Sequence, residues 1–88
     1  MTTHLDGNVL AGALGELFTM DVTAATGTCG CCGTSGSLAQ ARVYPDAPGM
    51  VARCPACGEV LLRVSRGPGR AWLDLRGMSC LEFPMPAR

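Results

Sequence analysis

Apolar and polar positions sort the chain into one stretch of helical period followed by several of period two. Val9, Leu10, Ala13, Leu14, Leu17 and Phe18 recur at helical spacing and leave Asn8, Gly12, Gly15 and Glu16 on the opposite side, which predicts an amphipathic helix over about residues 7–19. Asp6 is placed to cap its start, with Leu5 positioned to pack on Leu10. Gly12 and Gly15 each cost such a helix about 1 kcal/mol relative to alanine, so it needs a surface to dock on. Residues 20–28 read as either a short strand or an extended link. In residues 38–44, Ala39, Ala41 and Val43 alternate with Gln40, Arg42 and Tyr44 as in a half-buried strand. A turn at 45–49 and a short strand at 50–53 complete a first hairpin.

The second hairpin can be read to its register. Val60, Leu62 and Val64 alternate with Leu61, Arg63 and Ser65; Gly67-Pro68-Gly69 turns the chain; Ala71, Leu73 and Leu75 alternate with Trp72, Asp74 and Arg76. Both aliphatic sets share a face only if Val64 lies opposite Leu73 and Leu62 opposite Leu75, because a slip of one residue turns a strand over. That register sets Arg63 across from Asp74 and Ser65 across from Trp72 on the outer face, and makes the inner face a seat for the helix.

The cysteines change this picture from two weak hairpins to a stapled fold. Cys29-Gly30-Cys31-Cys32-Gly33 and Cys54-Pro55-Ala56-Cys57-Gly58 each hold two thiols separated by two residues and followed by glycine. Two such thiols reach one ion only if the backbone turns sharply, and the glycine lets the chain leave that turn with φ > 0. One copy also suits a thioredoxin-like redox motif, but the βαβ setting for that is missing. Two copies predict a four-thiolate site, Cys29, Cys32, Cys54 and Cys57, for one structural Zn2+, with iron as the alternative metal. Cys31 should point away from that ion, where a nearby metal could lower its pKa and give it a redox role, and Cys80 reads as a small buried hydrophobe.

Composition agrees with a staple. At 88 residues, 48% hydrophobic but 5% aromatic, this is a single domain with a thin core, near the size at which a metal becomes useful. The expected parts are the helix, a ribbon over about 27–76 and a C-terminal tail over 77–88. Net charge is zero, with seven arginines and no lysine, which gives no general pull toward nucleic acid or membranes. No apolar run approaches the roughly 18 residues that span a bilayer, and no secretory leader is visible; a cytoplasmic, reduced setting is expected, favouring metal ligation over disulfides.

Trp72, surrounded by Arg63, Arg66, Arg70 and Arg76, is the one large aromatic available as an anchor. It could be covered by the tail through Leu81, Phe83 and Met85, contact a protein partner or a second copy, or stack a base while the arginines hold phosphates. No catalytic set competes: His4 is the sole histidine, the carboxylates are scattered, and a closed four-cysteine site leaves no position for a water nucleophile.

The knuckles, together with Leu5-Asp6-Gly7-Asn8, Ala11-Gly12, Ala47-Pro48-Gly49, Arg53-Cys54-Pro55, Leu61-Leu62-Arg63 and Trp72-Leu73-Asp74-Leu75, resemble a family of short, uncharacterised zinc-ribbon proteins from high-GC bacteria, over roughly residues 5–84. The resemblance implies metal at the four named cysteines and a cytoplasmic location, and carries no activity with it. The expected fold is a small α+β zinc ribbon of two antiparallel hairpins with the helix packed on the sheet. The expected role is a non-enzymatic module for protein interaction. Its alternatives are a rubredoxin-like single-iron electron carrier and a nucleic-acid binder using the Trp72 and arginine face.

Overall fold

The computed structural model describes residues 5–15, 18, 21–46 and 49–85. His4, Glu16 and Leu17 of the expected helix, Met20, Ala47 and Pro48 of the expected turn, and residues 86–88 lie outside them. Among the described residues, eight strands form two antiparallel sheets: β1 (Leu5–Asp6), β4 (Arg42–Asp46), β5 (Gly49–Arg53), β6 (Val60–Gly67) and β7 (Arg70–Asp74) in one, and β3 (Ser35–Ser37), β2 (Thr26–Cys29) and β8 (Met78–Glu82) in the other. The order in the first sheet is β1-β4-β5-β6-β7, and in the second β3-β2-β8. The two expected hairpins are therefore one continuous meander, and the smaller sheet is an element the expectation lacked.

The meander keeps the inferred register, with Val64 opposite Leu73, Arg63 opposite Asp74 and Ser65 opposite Trp72. β7 ends at Asp74, so Leu75 is not paired with Leu62 and packs half-buried at the core margin. Across β5, Ala52 faces Leu62 while Arg53 faces Val60, which leaves Leu61 as a bulge residue. The bulge turns Leu61 inward beside Leu62, so both are buried despite adjacent positions.

Side-chain oxygens of Asp6, Asp21 and Ser37 start three short 3-10 turns, Gly7–Val9, Val22–Ala24 and Leu38–Gln40, by accepting the backbone N–H two residues on at 2.9, 3.0 and 3.1 Å. Such side chains compete with the ladder for the backbone. This is why residues 38–41 turn instead of beginning a strand: Leu38 and Ala41, three apart, both reach the core. Asp6 caps as expected, and the turn it starts gives way, among the described residues, to an α-helix, α1, over Leu10–Leu14. Leu5 does not staple onto Leu10; it pairs with Val43 in β1 and is 44% exposed.

The backbone of the helical segment lies nearest the turns at Val22–Ala24 and Leu38–Gln40 and β4, while its leucines reach the apolar face of β6. The core joins Leu10 and Leu14 to Leu38, Val43, Leu62 and Val64. Nor is the C-terminal segment a loose tail. β8 pairs with β2, and beyond it Phe83 meets Phe18 with ring centroids 5.8 Å apart. Trp72 is consequently uncovered, 56% exposed.

Gly77 lies between Gly30 of the first knuckle and Val60 of β6. Its carbonyl accepts the Gly30 N–H at 2.9 Å, and a Cβ on it would run into the Val60 carbonyl of β6. Gly77→Ala is expected to cost about 1–3 kcal/mol in chemical unfolding, as overpacking does. Gly36→Ala, where a Cβ meets nothing within 4 Å, is expected to stay within about 0.5 kcal/mol of the parent.

Candidate metal centre

Both cysteine pairs occupy turns between antiparallel neighbours, Cys29 to Cys32 between β2 and β3 and Cys54 to Cys57 between β5 and β6. The two turns have the same backbone. The Cys29 N–H donates to the Thr34 carbonyl at 2.9 Å and the Gly33 N–H back to the Cys29 carbonyl at 3.0 Å; Cys54, Glu59 and Gly58 repeat this at 2.8 and 2.9 Å. Gly33 and Gly58 take φ of 78° and 81°, the left-handed exit that the glycine after each second cysteine supplies without strain. In each pair the first cysteine, at the strand end, is buried and the second is exposed.

The turns face one another. The Sγ atoms of Cys29, Cys32, Cys54 and Cys57 all lie within 4.8 Å of one another, a group that can hold a metal ion. Cys29 Sγ is 3.6 Å from Cys57 Sγ, and Cys32 Sγ is 3.8 Å from Cys54 Sγ, well beyond the disulfide length of about 2.05 Å. The sulfurs also sit in matched polar settings. The N–H of Cys31 donates to Cys29 Sγ and that of Ala56 to Cys54 Sγ, each at 3.4 Å. Backbone groups of Thr34 and Glu59 do the same for Cys32 and Cys57. Every sulfur thus meets the N–H two residues downstream. A cavity of about 80 Å3, lined in part by Leu38, Ala41 and Leu61, adjoins the two buried sulfurs.

The two exposed thiols of the cluster are shifted in opposite directions. The Thr34 hydroxyl, 3.2 Å from Cys32 Sγ, and the Thr34 N–H pull the Cys32 thiol down to about 6. The Glu59 N–H lowers Cys57, but desolvation and the sulfurs of Cys29, Cys32 and Cys54 outweigh it and push that thiol up to about 12.

Cys31 is exposed and outside the cluster, and contributes its N–H rather than its sulfur. Cys80 departs from expectation: it is exposed on β8 opposite Thr28, because that strand edges a small sheet instead of burying itself. All six cysteines are free thiols.

The chain matches the Family of unknown function (DUF6510) over residues 1–86. It belongs to that family. Neither the curated proteins nor the solved structures contain a match. This DUF6510 member therefore has a mostly antiparallel two-sheet fold with a short helix and a clustered set of four cysteines.

The other candidate residues fall on the far side of the larger sheet. Trp72 and Arg63 are exposed on its outer face, Arg70 at the β6–β7 turn and Arg76 just past β7. Arg63 does not take the Asp74 carboxylate that faces it in register. Arg76 does, through Nε and Nη2 at 2.8–3.1 Å, and holds Asp74 down at about 2. Thr34, Tyr44 and Arg53 were not singled out by the sequence pattern. Thr34 could have been, since it follows the first knuckle where Glu59 follows the second. Among the described residues, no helix is long and apolar enough to cross a membrane.

Proposed function

We infer that this DUF6510 protein is a zinc-binding structural module, non-catalytic, that presents a surface to a partner. The observation that carries it is the cage of four sulfurs with its fourfold repeat of N–H···S contacts. Four thiolates about 2.3 Å from a tetrahedral zinc lie about 3.8 Å apart; two of the separations between the turns are 3.6 and 3.8 Å, and all four sulfurs lie within 4.8 Å of one another. The N–H groups offset part of the thiolate charge and fix the ligand directions, as outer partners of metal ligands do. A four-sulfur set leaves zinc no open position for water, so its contribution is to hold Cys29 and Cys32 of the smaller sheet against Cys54 and Cys57 of the larger one. A four-thiolate site suits a reducing compartment, the cytoplasm, where cysteines stay available to a metal.

Native mass spectrometry of protein from its own cells is expected to give one zinc per chain and a colourless solution. A red protein with a reversible one-electron couple would instead assign iron and an electron-carrying role.

Metal loading is also expected to depend on pH. Ligand sulfurs must be thiolates, so protons compete with the ion. Cys57, held near 12 before loading, must give up a proton when zinc binds at neutral pH, while Cys32, near 6, is already ionised. Calorimetry in buffers of different ionisation enthalpy should register proton release at pH 7. Zinc affinity should then fall as pH drops, and more steeply below about 6, where Cys32 takes up its proton as well.

A further inference from the structure

The outer face of the five-stranded sheet carries two shallow basins that share one wall. The first, about 550 Å3, holds Trp72 and Ser65; the second, about 530 Å3, holds Tyr44, Val51 and Arg53; Arg63 lines both. The ladder explains the arrangement, because Tyr44 faces Val51, Val51 faces Arg63, and Ser65 beside Arg63 faces Trp72. Arg53 already lies over the Tyr44 ring, its guanidinium carbon 5.9 Å from the centroid, so this side of the sheet stacks cations on aromatics.

Arg53, Arg63 and Arg76 line these basins together with Asp46 and Asp74, and Arg42, Arg70 and a third carboxylate, Asp6, lie on the same side of the sheet. Two of the carboxylates are engaged locally, Asp74 by Arg76 and Asp6 by the Asn8 N–H. The Arg63 side chain, in the middle, makes no hydrogen bond among the described residues and acts on Asp74 only at longer range.

We propose that this face binds single-stranded nucleic acid, with a base stacked on Trp72, a phosphate held by Arg63, and the strand continuing past Tyr44. An exposed ring ringed by guanidinium groups is the chemistry of strand-tracking sites, where any base offers a π-face. The positive excess is too small to hold a duplex through its backbone alone, which makes unstacked bases the favoured ligand. The proposal deepens the structural-module reading, since zinc fixes the sheet and the sheet supplies the surface.

Trp72 is the sole tryptophan, so its fluorescence reports the contact. Zinc-loaded protein, with zinc content and thermal unfolding checked on the same sample, is titrated at low salt with a mixed-sequence single-stranded DNA, the RNA of the same sequence, and the DNA duplex. Fluorescence quenching by both single strands, absent with the duplex and weakened by added salt, is the expected result. By anisotropy of labelled strands, Trp72→Ala should lose about ten- to a hundredfold in affinity while Trp72→Phe keeps most of it. Arg63→Ala should weaken binding and flatten its salt dependence. The proposal is overturned if folded, zinc-loaded protein leaves both strands unbound at low salt, if Trp72→Ala binds as well as the parent, or if the duplex or a polyglutamate peptide binds as tightly. Failure of the zinc staple itself would show separately, as missing metal in the starting sample.

Discussion

Stripping the metal with a strong chelator should abolish most of the stability of this DUF6510 protein. The expectation follows from how little else joins the two sheets. β2 and β3 are Thr26-Gly27-Thr28-Cys29 and Ser35-Gly36-Ser37, six of seven positions being glycine, serine or threonine, with almost no apolar surface to bury. The core contains no buried aromatic side chain among the described residues and is built from leucine, valine, alanine and cysteine. Structural zinc contributes about 10–16 kcal/mol in small zinc-finger peptides. Even a third of the lower figure, at about 4–8 °C per kcal/mol for a domain of this size, lowers the melting temperature by roughly 15–25 °C. Hydrogen exchange should show where the loss begins: amides of β2, β3 and β8 losing protection first, and those of β5 and β6 last, because Ala52, Leu62 and Val64 keep an apolar contact that needs no ion. Unchanged melting in excess chelator, with zinc shown to be absent, would mean that the core alone carries the fold.

The second large effect concerns which sulfurs matter. Cys54→Ser is expected to weaken zinc binding by more than about 100-fold, since disturbing only an outer partner of a ligand already costs about 10- to 100-fold. It also sets a hydroxyl against the sulfurs at a buried position. Cys31→Ser and Cys80→Ser should bind zinc as the parent does, because both thiols lie outside the cage and the Cys31 contribution is its backbone N–H, which serine retains. Competition with a chromogenic zinc chelator reads all three. A loss in Cys31→Ser comparable to that in Cys54→Ser would put Cys31 in the ligand set and displace one of the four.

The sulfur cage was legible in the sequence because its requirements are local: two thiols at fixed spacing, then a glycine that reaches φ near 80°. The hairpin β6–β7 was legible for a similar reason, since alternation leaves only one register that buries both aliphatic sets. What the pattern hid was long-range or carried by the backbone. β8 was read as a tail because Met78-Ser79-Cys80-Leu81-Glu82 has little alternation of its own, and its pairing with β2 depends on a chain segment about fifty residues away. Ser37 and Asp21 diverted residues 38–40 and 22–24 into turns by capping them, a competition that apolar spacing does not record. The N–H···S contacts belong to the turn rather than to particular residues, so Cys31 and Ala56 perform the same task.

Those corrections bear on function. With β8 drawn away to β2, Trp72 is left uncovered and joins Tyr44 and Arg53 on one face, instead of being shielded by the chain end.

The most direct measurement is X-ray absorption at the zinc edge of protein purified without added metal. Four sulfur neighbours at about 2.3 Å, with no nitrogen or oxygen in the shell, are the result predicted for one ion gripped by both turns. A shell of two sulfurs completed by lighter atoms would contradict it, because each turn would then bind on its own and the ion would not tie the sheets together.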